Sequence, residues 1–331
     1  MRIAVIGLGL IGGSLTRALA AAGHDVFGYD ADPATRGVAR TAAGQAKASE
    51  RWQVTASVRE AAEDAHMAII AVPLPAVAEV VDELANAGFH GLITDVTSVK
   101  GQVRDIVADR WRRSGAALAG FVGGHPMTGR ETAGFVASDP GLFRGRAWAL
   151  CMEPQITGLD DFLEVTALAT SLGARVVPTT ADEHDRAVAI VSHVPHLLAA
   201  ALMRTATADP LALSLGAGSF HDGTRVAASP PDLMAAMCGG NADAVDDALT
   251  TVVEHLRQAA IALDTKDPIG ELRPWFAPAS AARNSWPPAP SDPVDIPAQT
   301  EVLLRLGRAG GWITDVATDR RSVTAVRPHE K

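Results

Sequence analysis

Three glycines spaced as Gly7-x-Gly9-x-x-Gly12 follow a β-branched run directly and open a helical pattern. Phosphate-cradle chemistry needs this arrangement. Gly7 permits the tight turn, Gly9 lets a pyrophosphate approach the backbone, and Gly12 lets helix and strand pack closely. The N–H groups of the first helical turn, at Leu10 and Ile11, then meet the phosphates with the positive end of the helix dipole. Asp30, eighteen residues past Gly12 at the end of the next apolar run, is placed to accept hydrogen bonds from ribose hydroxyls. A carboxylate there repels a 2′-phosphate, so NAD is expected over NADP, with Arg36 near enough to weaken that preference.

A second set of residues could move protons. His125 sits between Gly123-Gly124 and Pro126, and imidazole exchanges a proton near neutral pH. The plain alternative is a loop histidine bound to backbone. Asp95, expected as a cofactor contact, and Ser98 stand in Asp95-Val96-Thr97-Ser98-Val99-Lys100 at the end of another apolar run, where a doubly wound sheet opens its crevice. His193 and His196 have the spacing of a metal pair, but no third ligand is suitably spaced, so no metal is expected. His184-Asp185 suggests metal-dependent hydrolysis only as an isolated pair, too little to carry that reading.

These residues need a frame. Apolar runs at Arg2–Ile6, Asp25–Tyr29, Ala68–Val72, Leu92–Val96, Ala117–Val122, Ala147–Met152 and Arg175–Pro178 read as strands. Between several of them, Gly13–Ala22, Pro75–Asn86 and Leu159–Leu172 read as helices. Alternation of this kind predicts βαβ crossovers and a mainly parallel sheet, an α/β Rossmann-type domain over residues 1–180. From residue 181 to 277 the texture is helical. Asp185–Thr205 and Asp243–Leu263 are largely apolar, which predicts an all-α domain that pairs two copies of the chain, packing on the first domain being the alternative. Pro287–Pro297 holds five prolines in eleven residues and reads as a linker, so 278–331 is expected to be a Pro-rich connection and a small hairpin or docking appendage.

Composition narrows the function classes. With 331 residues, 47% of them hydrophobic, the chain can bury a sizeable core, and wholesale disorder is excluded. A net charge of −9 with no long basic run argues against nucleic acid as a partner. The two cysteines, Cys151 and Cys238, show neither metal nor disulfide spacing, as expected in a reducing cytoplasm. The apolar N-terminus, interrupted by glycines and Arg17, reads as strand, turn and helix rather than as a leader or span. No other segment is expected to be long and apolar enough to cross a membrane.

The ordered set GLGLIGGS, DVTSVK, GGHPMTGRETAG, SHVPH and DGTRVAAS resembles the TyrA family of prephenate and arogenate dehydrogenases over roughly residues 1–270. The resemblance implies a Rossmann-type NAD(P) domain followed by a helical domain that builds a homodimer. It implies that His125 is the catalytic histidine, taking the proton of the substrate's C4 hydroxyl, and that Ser98 binds the same hydroxyl or orients His125. Arg225 would grip a substrate carboxylate, Glu131 would pair with that arginine, and His196 would touch the substrate, His193 being structural. The implied reaction is NAD-dependent oxidative decarboxylation of prephenate, in tyrosine biosynthesis. Arogenate is the alternative substrate, and 4-amino-4-deoxyprephenate would be served by the same His125 and Arg225. His221 stands where the family commonly has a basic residue, and a tryptophan often found near Met234 is missing, which leaves the pocket wall open. Two further readings compete. A β-hydroxyacid or imine reductase would use a lysine of the second domain, where only Lys266 lies, and a non-catalytic NAD-binding regulator would have decayed at His125 or Arg225.

Overall fold

The structure, a computed structural model, describes residues 1–114, 120–130, 132–154 and 156–329. The chain divides into two compact units: Met1–Asp185 with Asp292–Arg327, and Arg186–Ser291 with the residues from Pro328 on.

The first unit begins as β1 (Arg2–Ile6), α1 (Leu10–Ala21), β2 (Asp25–Tyr29), α2 (Pro33–Gln45), β3 (Gln53–Val54), α3 (Val58–Ala62), β4 (Met67–Ile70), α4 (Val77–Asn86), β5 (Leu92–Asp95), α5 (Gly101–Ser114) and β6 (Gly120–Val122). The six strands form one parallel sheet in the order β3-β2-β1-β4-β5-β6. This is the doubly wound order, with β1 and β4 at the point where the order reverses. The β-branched run of β1 forms a central strand because both its faces are covered. Ile3 and Val5 enter one core cluster, whereas Ala4 and Ile6 enter the other with Ile70, Val81 and Val107. Each fully buried side chain of this size stabilises the fold by about 1.5–3 kcal/mol. Of the run expected at Ala117–Val122, residues 117–119 lie outside the described residues.

The runs at Ala147–Met152 and Arg175–Pro178 do not join that sheet. They form β8 (Ala147–Cys151) and β9 (Arg175–Thr179), joined in parallel across α6 (Leu159–Ser171), in a second, mixed sheet with the short edge strand β7 (Gly124–Pro126).

The second unit is helical. α7 (Ala181–Val188) crosses the division between units and passes through a π turn, Ala189–His193, into α8 (Val194–Ala206). Then come α9 (Pro210–Ser214), α10 (Gly218–Thr224), α11 (Pro231–Gly239), α12 (Ala242–Leu263) and α13 (Pro268–Asn284). The π turn has a local cause: Pro195 has no N–H to return to the carbonyl four residues back, and Val194 N–H bonds to Ala189 O, five back. By length and composition Ala181–Ala206 is apolar enough to cross a membrane, which corrects the expectation that no such segment exists. Of its polar members His184, Asp185 and His193 are buried, whereas Asp182, Arg186 and Arg204 are exposed.

The tail returns to the first unit as β10 (Val294–Pro297), α14 (Thr300–Arg308), β11 (Trp312–Val316) and β12 (Ser322–Val326). It completes the second sheet as β10-β12-β11-β9-β8-β7, with β11 antiparallel to β9. The expected linker therefore ends in a strand, and the expected appendage is part of a core. Leu303, Leu306, Ile313 and Val323 are fully buried in the same cluster as Ile3 and Val5. A hairpin with this much apolar surface has to be covered, and α6 packs against β11 while β9 pairs with its edge.

Candidate active site

The turn after β1 has the expected shape. Gly7 takes φ +101°, a left-handed conformation, and a Cβ on Gly12 would lie 1.9 Å from the Gly7 carbonyl oxygen. Neither position admits another residue without displacing backbone. A Cβ on Gly9 would meet nothing within 4 Å, and no side chain caps α1, so its first N–H groups face open space. The site fits a dinucleotide. Asp30 accepts hydrogen bonds from the N–H of Leu8 (2.7 Å) and of Asp32 (2.9 Å), which hold its carboxylate beside the glycine turn. Arg36 is turned inward: its guanidinium donates to the carbonyls of Asp30 (2.6 Å) and Ala31 (3.0 Å) and lies over the Tyr29 ring.

Asp95 is placed otherwise than expected. It was a candidate cofactor contact, but its carboxylate is fully buried and both oxygens are taken. Oδ1 accepts Gly124 N–H (3.1 Å). Oδ2 accepts Thr97 N–H (2.9 Å), the Thr97 hydroxyl (2.5 Å) and the Lys100 ammonium. Lys100, 1% exposed, also donates to the Gly124 carbonyl (2.6 Å) and Thr97 Oγ1 (3.0 Å). A buried charge pair is costly unless its remaining hydrogen bonds are satisfied, and here they are. The pair clamps the loop after β5 to Gly124, the residue before His125.

His125 lies on β7 opposite Ala149 of β8. Its Nδ1 is 2.9 Å from Nε2 of His184, and His184 Nδ1 is 2.8 Å from Asp185 Oδ1. The three residues form a line. Asp185 Oδ1 also accepts Lys100 N–H (2.9 Å) and its Oδ2 accepts Gly101 N–H (2.8 Å), so the carboxylate caps the start of α5. Burial pushes the Asp185 carboxyl up, but hydrogen bonds from His184, Lys100 and Gly101 outweigh it and leave the group below its ordinary range. Burial lowers His184 from 6.5, against the pull of Asp185. These directions assign the protons. An ionised Asp185 takes the Nδ1–H of a neutral His184. Nε2 of His184 then accepts Nδ1–H of His125, and the His125 lone pair is on Nε2. Ser98 is half-buried on the loop between β5 and α5, and His184 stands against the His125 ring.

In the second unit, His196 Nδ1 is 3.2 Å from the carbonyl of Val226, the residue after Arg225. The SHVPH and DGTRVAAS segments are thereby brought together, with Arg225 exposed on a short 3-10 turn. His193 is fully buried against Asn241 (3.2 Å), as a structural residue would be. Glu131 lies outside the described residues, and among those described no metal-binding cluster of histidine, cysteine and carboxylates is found.

The sequence reading missed His184, Asp185 and Lys100. Its signals for them were faint: an His-Asp dipeptide opening a long apolar helix, and one of only four lysines in the chain.

The chain matches the description "Prephenate dehydrogenase, nucleotide-binding domain" over residues 15–178 and "Prephenate dehydrogenase, dimerization domain" over residues 180–277. The chain belongs to the prephenate dehydrogenase family. This is a family of NAD-dependent oxidoreductases, and the N-terminal domain is its nucleotide-binding domain. A cyclohexadienyl dehydrogenase of Zymomonas mobilis is 30% identical over 80% of this chain and 89% of its own length. A prephenate dehydrogenase of Bacillus subtilis is 28% identical over 98% of this chain and 87% of its own. Among solved structures, a candidate prephenate dehydrogenase from Corynebacterium glutamicum superposes with a TM-score of 0.75 at 32% identity, covering 86% of this chain and 90% of that one. Synechocystis arogenate dehydrogenase gives 0.73 at 25% identity, covering 86% and 100%. The two-domain fold expected from the sequence, Rossmann-type then helical, is that of the family.

Proposed function

We propose that this chain oxidises prephenate to 4-hydroxyphenylpyruvate and CO2 with NAD, with arogenate as the competing substrate. The observation that carries the reading is the line Asp185–His184–His125, joined by contacts of 2.8 and 2.9 Å. NAD, held by the turn from Gly7 to Gly12 and by Asp30, supplies the hydride acceptor when bound.

The chain's own work is proton transfer and orientation. His125 Nε2 accepts the proton of the C4 hydroxyl as hydride leaves C4. The bond from C1 to its carboxylate breaks, CO2 departs, the electron pair completes the aromatic ring, and the phenolate oxygen so formed takes the proton back from His125. As His125 becomes cationic, its Nδ1–H bond to His184 strengthens, and the ionised Asp185 offsets the charge two links away. A positioned base of this kind contributes about 10²–10⁴-fold. Arg225 would hold a substrate carboxylate through two parallel hydrogen bonds, His196 would contact the substrate, and Ser98 would meet the C4 hydroxyl. Glu131 is proposed as the partner of Arg225 on the strength of the motif alone. The turning of Arg36 onto backbone carbonyls supports NAD over NADP, since its guanidinium is occupied by the carbonyls of Asp30 and Ala31.

The enzyme is proposed to act as a cytoplasmic homodimer. Ile190, Val191, Leu215, Ile261 and Ile269 of the helical unit are each more than half exposed, within or next to the segment described as a dimerization domain. A membrane or nucleic-acid partner is not proposed. Supplying prephenate and arogenate separately, and following reduced nicotinamide and the aromatic product, tests the reading. Turnover of neither overturns it, and a tenfold preference for arogenate keeps the chemistry and changes the substrate.

A further inference from the structure

The C-terminal segment reaches the residue next to the proton relay. Gly307, in the last turn of α14, presses against β9 so closely that a Cβ there would lie 1.8 Å from the Pro178 carbonyl oxygen. Leu303, Leu304 and Leu306 anchor the same helix in the core. The next residue, Arg308, donates from Nε to Glu183 Oε1 at 2.6 Å.

Glu183 closes a capping box at the start of α7. Its Oε2 accepts Thr180 N–H (3.2 Å), while its own N–H donates to Thr180 Oγ1 (3.3 Å). Burial works against the charge of Glu183, but hydrogen bonds from Arg308 and Thr180 keep its carboxyl below the ordinary range. The neighbouring N–H of Ala181 is held by Glu153 at 2.6 Å, and Asp182 by Arg104 at 2.9 Å. Every residue of that first turn is therefore tied to another element, and the residue that follows Glu183 is His184.

We propose that the C-terminal segment Asp292–Arg327 is a brace for the proton relay, and that Arg308 is a positioning residue acting through Glu183 on His184. The segment is then part of the catalytic apparatus, although no atom of it touches a reacting group. This rests on the function proposed above, in which His184 orients the base. The geometric demand is tight. His184 must present Nε2 to His125 and Nδ1 to Asp185 at once, so a small rotation of the α7 start weakens both bonds.

Arg308 is half-exposed, so Arg308→Ala should fold. Glu183→Gln keeps an acceptor for the capping box but loses the charge pair. Either variant should lower kcat about two- to fivefold, the factor that a partly exposed charge pair is worth, with KM for NAD unchanged. Arg308→Lys should restore most of the loss, and Arg308→Ala combined with Glu183→Gln should be no worse than either alone, because both break one link. Nitrogen-15 spectra of the imidazoles in the enzyme without substrate supply a readout that needs no turnover. The His184 resonances should shift or broaden in Arg308→Ala, while those of His193 in the other unit stay fixed. Unchanged His184 resonances overturn the brace whether or not the wild type turns over. Additive effects of the two substitutions on kcat overturn it as well. Absence of turnover in the wild type, with His184 still responding, overturns the function reading alone.

Discussion

Replacing Asp185 by Asn tests the proton assignment at its root. Among the described residues the carboxylate accepts hydrogen bonds from His184 Nδ1, Lys100 N–H and Gly101 N–H. An amide of the same shape has one accepting end. If the amide oxygen faces His184, the NH2 group meets the Gly101 N–H, and α5 loses part of its cap. The cost is that of an unsatisfied, partly buried donor, about 1–3 kcal/mol. If the amide turns over, its NH2 faces His184 Nδ1 and forces the proton to Nε2. That proton then points at His125 Nδ1, which must accept it, and the His125 proton moves to Nε2, where the substrate hydroxyl needs a lone pair. The base is lost while every heavy atom stays in place. The expected loss in kcat is about 10²–10⁴-fold, the contribution of a positioned general base. NAD affinity, set by residues of the glycine turn, should stay within about twofold, since distant sites act independently. The assay is the appearance of reduced nicotinamide with prephenate, alongside NAD binding by calorimetry and a melting curve. A folded Asp185→Asn enzyme that keeps a third or more of the wild-type kcat together with the wild-type melting temperature would refute the relay.

Other consequences follow from the same geometry. Lys100→Met leaves Asp95 buried and uncompensated, and should cost about 3–5 kcal/mol in urea unfolding. Restoring neutrality with Lys100→Met and Asp95→Asn together should recover part of that cost. Acid should weaken the fold from about pH 6.5 downward: the unfolded chain binds a proton at His184 that the folded chain, with its lowered value, refuses. The slope approaches about 1.4 kcal/mol per pH unit until folded His184 titrates, and it should flatten in His184→Gln. Asp185 acts in the same sense at lower pH, stabilising above its unfolded value and losing that contribution as pH falls through its depressed folded value. Arg225→Gln should raise KM for prephenate about tenfold, the equivalent of about 1.4 kcal/mol, with KM for NAD unchanged.

What was legible in the sequence was local. The strand, the glycine turn and α1 lie within some twenty residues, and their apolar period and the positive φ of Gly7 are properties of neighbours in the chain. The apolar runs named β1, β2, β4, β5, β8 and β9 to within two residues, because each is bounded by turn residues. Assigning all of them to one sheet failed, because pairing is a long-range choice. β9 pairs with β11 across more than a hundred residues, and nothing in either run names the other. Three-residue β7 is too short for any period to show, yet it carries His125. The relay was hidden for the same reason. His125 and His184 lie 59 residues apart, and His184-Asp185 looks like an ordinary helix start until the two rings meet. Asp95 misled in the opposite sense. A carboxylate at the end of a central strand suggests a ligand contact, and only the burial of Lys100 beside it shows that its oxygens are already occupied.

The most direct test of the whole account compares the wild type with His125→Asn under prephenate and NAD, measuring both turnover and NAD binding. The account predicts reduced nicotinamide and CO2 in equal amounts from the wild type. It predicts a loss of about 10²-fold or more in the variant, with NAD bound equally well by both. A variant that turns over at the wild-type rate, or a wild type that binds NAD and leaves prephenate untouched, would contradict it.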